Sequence, residues 1–278
     1  MVFEHQIPEG GKIYFGEVAK RKREIENIAS QLFYKNSFQE MVTPLFSYHQ
    51  ISSLPHQQLI HLTDKSNNLM NLRADNTIDI VKILLKRIGK NSQNSRWFYI
   101  QPIYRYPSVE QYQIGAEIIG GGDLGEVLNL NIAIFKQLNF FPTLQISNVA
   151  IPKKISQYLD IPIEVFKNIE IGKILSLDIE WLNRLLYLEN VEEIDRVISI
   201  VPNEIVDEVE KIRQIVKTIQ WRDIKIAPLY YSKMDYYDNL IFRFIKGNRT
   251  ISRGGNYSIE NNHSVGFAIY TDELLSEW

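Results

Sequence analysis

Residues 111–121 read QYQIGAEIIGG, and how this stretch lies in the chain decides the fold. Side chains alternate along a strand, so Gln113, Gly115 and Glu117 share one face while Ile114, Ala116 and Ile118 share the other. A glycine between two polar residues leaves a hollow on the first face. An unpaired carboxylate is costly to bury, so Glu117 needs either a sheet face open to water or a partner that donates to it. The stretch WFYIQPIYR, residues 97–105, reads as a neighbouring strand, joined to this one through Pro107 and Ser108.

The surrounding chain extends this pattern. From Glu17 to Asn36 the apolar residues Ile25, Ile28, Ala29, Leu32 and Phe33 recur at helical spacing. Pro44 falls inside the β-rich run FQEMVTPLFSY, where a proline fits an edge strand or a bulge. LIHL and LMNLR read as short strands. Asp75 and Thr77 precede a helical pattern from Ile78 to Ile88 that stops at Gly89. Asp123 with Glu126 makes a capping-box-like start for a helix over Leu124–Leu138. From Pro152 to about Trp221 glycine is nearly absent, and Ile205, Val209, Ile212, Val216 and Ile219 form a helix seam. β-Rich arms then flank Gly247-Asn248, a two-residue hairpin turn. GGNY (254–257) and SVGFAIY (264–270) complete the strands, and Asp272 and Glu273 open a final helical turn. This order predicts an α+β fold with a mainly antiparallel sheet, residues 1–151 and 222–278 forming the core around a helical insertion at 152–221.

Bulk properties narrow the function. The 278 residues are 45% hydrophobic with a formal net charge of −2, enough for a packed core but no global field to attract nucleic acid. There is no cysteine, which excludes disulfides, thiolate zinc sites and a cysteine nucleophile. His5, His49, His56, His61 and His263 are scattered without metal-binding spacing. No apolar run approaches a membrane span and the N-terminus lacks a leader pattern, so a cytoplasmic protein is expected.

Taken singly, the polar candidates are ambiguous. Arg105, at the end of a strand, has the shape to clamp a carboxylate or phosphate. Asp235 beside Tyr236 and Tyr237 marks either a site or core tyrosines with bonded hydroxyls. GGNY either brings backbone NH groups close to a phosphate or makes a simple turn.

Together, LRADNT, YR with QIGAEIIGG, MDYYDNLIF, GGNY and VGFAI, in this order around a helical stretch, resemble the class II synthetase core of histidyl-tRNA synthetase over most of the chain. The resemblance makes QEMVTPLF the first motif, with Pro44 at a dimer interface, YR with QIGAEIIGG the second, and VGFAI the third. It implies an amino-acid pocket in which Asp75, Thr77 and Gln113 hold the α-amino group of histidine, Arg105 its carboxylate, Glu117 and Tyr237 its imidazole, and Tyr257 the wall. Asp75 is one methylene shorter than the family's glutamate.

The departures point away from catalysis. Where the family's third motif carries a phosphate-binding arginine this chain has Glu273, and where it carries an activating arginine before the DYY signature this chain has Ser232. One charge contact at 4 Å is worth about 4 kcal/mol at an effective dielectric near 20, so reversing its sign is decisive. Pro107 replaces an acid of the second motif, the following loop is short, and an anticodon-binding domain is not expected. This combination is similar to the family of ATP phosphoribosyltransferase regulatory subunits. That resemblance implies no catalytic residue, cofactor or metal. It also implies a homodimer within a hetero-octamer with the short-form catalytic subunit, histidine as effector, and no nucleic-acid or membrane partner. The rivals on the same fold are a minimal histidine-activating enzyme or amide ligase, and an RNA-binding synthetase fragment.

Overall fold

A computed structural model describes residues 6–88, 95–232, 234 and 236–278, Ile88 in its backbone only. The chain divides into two compact units, Met1–Gly120 with Ala268–Trp278, and Gly121–Phe267.

The first unit opens with α1 (Gly16–Lys35), which buries Ile25, Ala29 and Phe33 and sets Phe33 against Phe98 at 4.9 Å between ring centroids. Short strands β1 (Gln39–Glu40) and β2 (Phe46–Ser47) follow. Pro44 lies in the irregular stretch between them, exposed beside Val42 and Leu45, and so occupies neither an edge strand nor a bulge. Its lack of an N–H explains why no ladder includes it. Strands β3 (His61–Thr63) and β4 (Leu69–Leu72) join β2 in a small antiparallel sheet ordered β2-β4-β3. Then comes α2 (Asn76–Ile83), continued by a π turn over Leu84–Ile88; the expected stop at Gly89 lies outside the described residues. The two predicted long strands are β5 (Arg96–Arg105) and β6 (Val109–Ile119), antiparallel from Arg96↔Ile118 to Arg105↔Val109, with β1 parallel to β5.

The second unit begins with α3 (Leu124–Gln137), whose expected cap is present: the Asp123 carboxylate accepts from the Glu126 N–H at 3.1 Å. After β7 (Thr143–Asn148) the helices are α4 (Ala150–Leu159), α5 (Glu164–Lys167), α6 (Ile171–Ser176), α7 (Glu180–Leu186), α8 (Ile194–Ile198) and α9 (Asn203–Lys217). The seam Ile205, Val209, Ile212 and Val216 is the buried face of α9, and Ile219 is buried just past its end. Strands β8 (Ile224–Ile226), β9 (Tyr237–Lys246), β10 (Arg249–Ile259) and β11 (Asn262–Tyr270) complete the ladder β11-β10-β9-β7-β8, in which β8 runs parallel to β7 while β9 is antiparallel to both β7 and β10. Phe135 of α3 packs edge-on to Phe244 of β9 in the core.

The structure bears out GGNY as part of a strand and corrects the alternatives of a turn or a phosphate-binding loop. Gly254 and Gly255 stand inside β10, neither in a turn nor in a loop beside a ligand. A Cβ on Gly254 would meet the Gly266 carbonyl oxygen at 2.5 Å, and one on Gly255 the Leu240 carbonyl oxygen at 2.7 Å. These glycines let neighbouring strands approach closely, and the ladder shifts register between Gly255 and Tyr257. Strand β11 carries the chain back to the first unit, where α10 (Thr271–Glu277) begins. No helix among the described residues is long and apolar enough to cross a membrane.

Candidate functional site

The site is built where the start of α2 meets the β5–β6 hairpin of the first unit. The chain enters α2 through Arg73, Ala74 and Asp75, and buried side chains hold this loop rigid. The Gln50 carboxamide oxygen accepts from the Ala74 N–H at 2.7 Å and the Asp75 N–H at 3.1 Å, while its amide donates to the Asp75 carbonyl at 2.6 Å. The Arg73 guanidinium donates to the carbonyls of Thr43 (2.8 Å), Pro44 (3.2 Å) and Pro102 (2.8 Å). Arg73 is thus a backbone clamp, and it fixes the stretch that contains Pro44.

Three consecutive residues then reach the hairpin or its edge. Asp75 caps α2, one carboxylate oxygen accepting from the Ile78 N–H at 2.9 Å, while the other lies 4.0 Å from the Arg105 Nη2. Asn76 donates to the Gln113 side-chain oxygen at 3.0 Å and accepts from the Gln101 amide at 2.8 Å. The Thr77 hydroxyl donates to the Glu117 carboxylate at 2.7 Å. The structure therefore brings Asp75, Thr77, Arg105, Gln113 and Glu117 together. Glu117 is only 1% exposed, so the hollow face of β6 is not open to water. Arg105 anchors through its Nε to the Ala74 carbonyl at 3.0 Å and is about one-third exposed, and Nη1 has no partner among the described residues.

Burial sets the electrostatics. It raises the Asp75 carboxyl, against the lowering pull of the Ile78 N–H and Arg105. It pushes Asp79, whose carboxylate accepts from the Ser47 hydroxyl at 2.6 Å, up to about 6. The Tyr99 hydroxyl rises well above its ordinary value through burial and then through the Glu117 and Asp75 charges. Two buried acids, Asp75 and Glu117, with one partly exposed guanidinium at Arg105 are groups able to pair with a zwitterion that bears a second basic group.

Sequence reasoning missed Asn76, Gln101, Gln50 and Tyr99. Gln101 did leave a signal, as a polar residue in an otherwise apolar strand; it stands opposite Gln113 in the ladder and binds Thr43 through both its amide and its oxygen.

Tyr237, Tyr257 and Ser232 lie in the second unit. Tyr237 and Tyr257 are buried cross-strand partners on β9 and β10, and Tyr236 packs on both at 4.9 and 5.7 Å between centroids. Ser232 is buried, and its hydroxyl accepts from the Met234 N–H at 3.2 Å. Asp235 lies outside the described residues. Back in the first unit, Glu273 sits half-buried in the first turn of α10. Its neighbour Asp272 accepts from the Tyr112 N–H at 3.0 Å and from the Tyr14 hydroxyl, and burial raises its carboxyl.

Fold and site define a class II, histidyl-tRNA synthetase-like protein. The family model described as histidyl-tRNA synthetase matches residues 15–274. A solved structure of an ATP phosphoribosyltransferase regulatory subunit/histidyl-tRNA synthetase from Bacillus halodurans superimposes with a TM-score of 0.85 at 19% identity, covering 99% of this chain and 84% of that one. An ATP phosphoribosyl transferase (HisG:HisZ) complex from Thermotoga maritima has a chain with a TM-score of 0.67 at 19% identity, covering 90% of this chain and 97% of that one. The ATP phosphoribosyltransferase regulatory subunit of Wolinella succinogenes is 39% identical over 279 aligned positions, spanning 100% of this chain and 97% of that protein. The chain belongs to the family of ATP phosphoribosyltransferase regulatory subunits, on the histidyl-tRNA synthetase fold.

Proposed function

We propose that the chain is a non-catalytic subunit that assembles with the short-form ATP phosphoribosyltransferase catalytic subunit, activates it in the first step of histidine biosynthesis, and carries histidine as feedback effector. The observation that carries this reading is the acidic first turn of α10, Asp272 and Glu273, in which the resemblance puts Glu273 at the position of the enzyme's phosphate-binding arginine. The full-length likeness to the Wolinella regulatory subunit supports it.

In this reading histidine lies at the start of α2. Arg105 pairs with its carboxylate, Asp75, Thr77 and Gln113 take its ammonium, and Glu117 faces the imidazole. Histidine need only bind one quaternary state better than the other to couple this site to a distant active site. The exposed Val42, Leu45 and Phe46 around Pro44 offer an apolar face for a homodimer within a hetero-octamer. The protein is cytoplasmic, and residues 152–221 are an insertion into the synthetase-like core.

Reconstitution tests the proposal. With the purified short-form catalytic subunit, added chain raises the rate of phosphoribosyl transfer and histidine suppresses it. Failure to co-purify, with an unchanged rate, would contradict it.

A further inference from the structure

The second unit holds an apolar groove that the histidine site does not use. It encloses about 190 Å3 and is lined by Phe166, Ile169, Ile171, Ile174, Leu186 and Leu229. Its rim is exposed: Ile169 is 57% and Ile171 46% accessible, and Leu175 and Leu177 are exposed close by in sequence. Four exposed aliphatic side chains within nine residues make a patch of the kind that marks a contact surface.

Ile169 is held there against its own backbone preference. Helix α5 ends in a Schellman motif, the Glu170 N–H reaching the Val165 carbonyl at 2.9 Å and the Ile169 N–H the Phe166 carbonyl at 3.1 Å. That motif puts Ile169 at φ 54°, a left-handed position normally taken by glycine and disfavoured for a β-branched residue. Backbone strain kept at a largely exposed residue on the rim of a groove points to a role for that side chain in contact.

The flank of the groove is cationic. Tyr230, at one end, stacks under the Arg243 guanidinium at 4.1 Å, and the adjacent Tyr231 ring lies within 6.0 Å of Lys153 Nζ and 5.7 Å of Lys167 Nζ. Among the described residues neither lysine joins an ion pair, and Glu170, three residues past Lys167, is taken by Lys173.

We propose that this groove docks a segment of the catalytic subunit in which an apolar side chain is flanked by carboxylates; the partner's identity rests on the function proposed above. The apolar anchor enters between Ile169 and Leu229, and the carboxylates meet Lys153 and Lys167. A second copy of this chain fits poorly, because a two-fold contact centred on the groove would bring two cationic flanks together.

Titration of the full-length chain against the purified catalytic subunit by calorimetry, with melting curves for each variant, tests the docking. Ile169→Gly relieves the strained backbone, so its Tm is unchanged or higher, while its Kd weakens about tenfold. The double variant Lys153→Glu with Lys167→Glu slows association and weakens Kd by at least about tenfold at low salt. Wild-type binding with both variants unaffected would overturn the groove alone. So would a lowered Tm for Ile169→Gly with Kd unchanged, or loss of the homodimer in sedimentation with affinity for the catalytic subunit retained. A wild-type chain that binds no catalytic subunit would overturn the functional reading instead.

Discussion

Helices α2 and α10 of the first unit both begin with acids, and they use them differently. At α2 the Asp75 carboxylate caps its own helix and lies across from the Arg105 guanidinium, so negative charge at a positive helix end is matched again by a cation. At α10 the N-cap residue Tyr270 does not cap the helix with its side chain, and Asp272 serves the β6 backbone and the Tyr14 hydroxyl. In the proposed reading one helix start receives a zwitterion, while the other carries carboxylates where the resembled enzyme has a phosphate-binding arginine. That reading makes amino-acid recognition and nucleotide activation separable within one fold, because they depend on charges held by different helix ends.

The contrast is breakable by substitution. Gln50→Ala removes three buried hydrogen bonds to the loop entering α2. It should cost about 3 kcal/mol in denaturant unfolding and abolish histidine binding with it; a small cost would mean that the loop is held elsewhere. Glu117→Ala should weaken histidine affinity by roughly ten- to a hundredfold in calorimetry while circular dichroism stays native. Unchanged histidine inhibition of the reconstituted complex would move the effector site away from α2.

Asp79→Asn sharpens the picture through pH. A carboxyl raised from 3.8 to about 6 in the folded state favours folding when protonated, and that advantage disappears as pH rises through this window. The wild type should therefore lose on the order of 2 kcal/mol relative to the variant between pH 4 and 6, followed by thermal melts; parallel curves would refute the burial argument. The smallest effect belongs to α10. Asp272→Asn should cost about 1 kcal/mol in stability and leave histidine affinity unchanged, and a change in affinity would join the two helix ends that the comparison separates.

Much of this was legible in the sequence wherever the cause is local. The helix start after Asp75, the cap at Asp123, the β5–β6 hairpin and the turn at Gly247 depend on residues a few positions apart. Of the site, the alternation in QIGAEIIGG located Glu117 and Gln113. It did not reveal that Thr77 and Asn76 satisfy them, since those contacts span 40 and 37 residues. Gln50 and Arg73 escaped notice for the same reason: each acts on backbone groups 24 or more residues away, which no periodicity encodes. GGNY was read correctly as completing the strands, but the reason for its glycines was not: the demand comes from the Gly266 and Leu240 carbonyls on adjacent strands and not from a turn or a phosphate.

The separation of recognition from activation is tested most directly by supplying histidine, ATP and labelled pyrophosphate to the purified chain while histidine binding is followed in the same preparation. The account predicts that histidine binds and that no label enters ATP. Histidine-dependent exchange of pyrophosphate into ATP would contradict it.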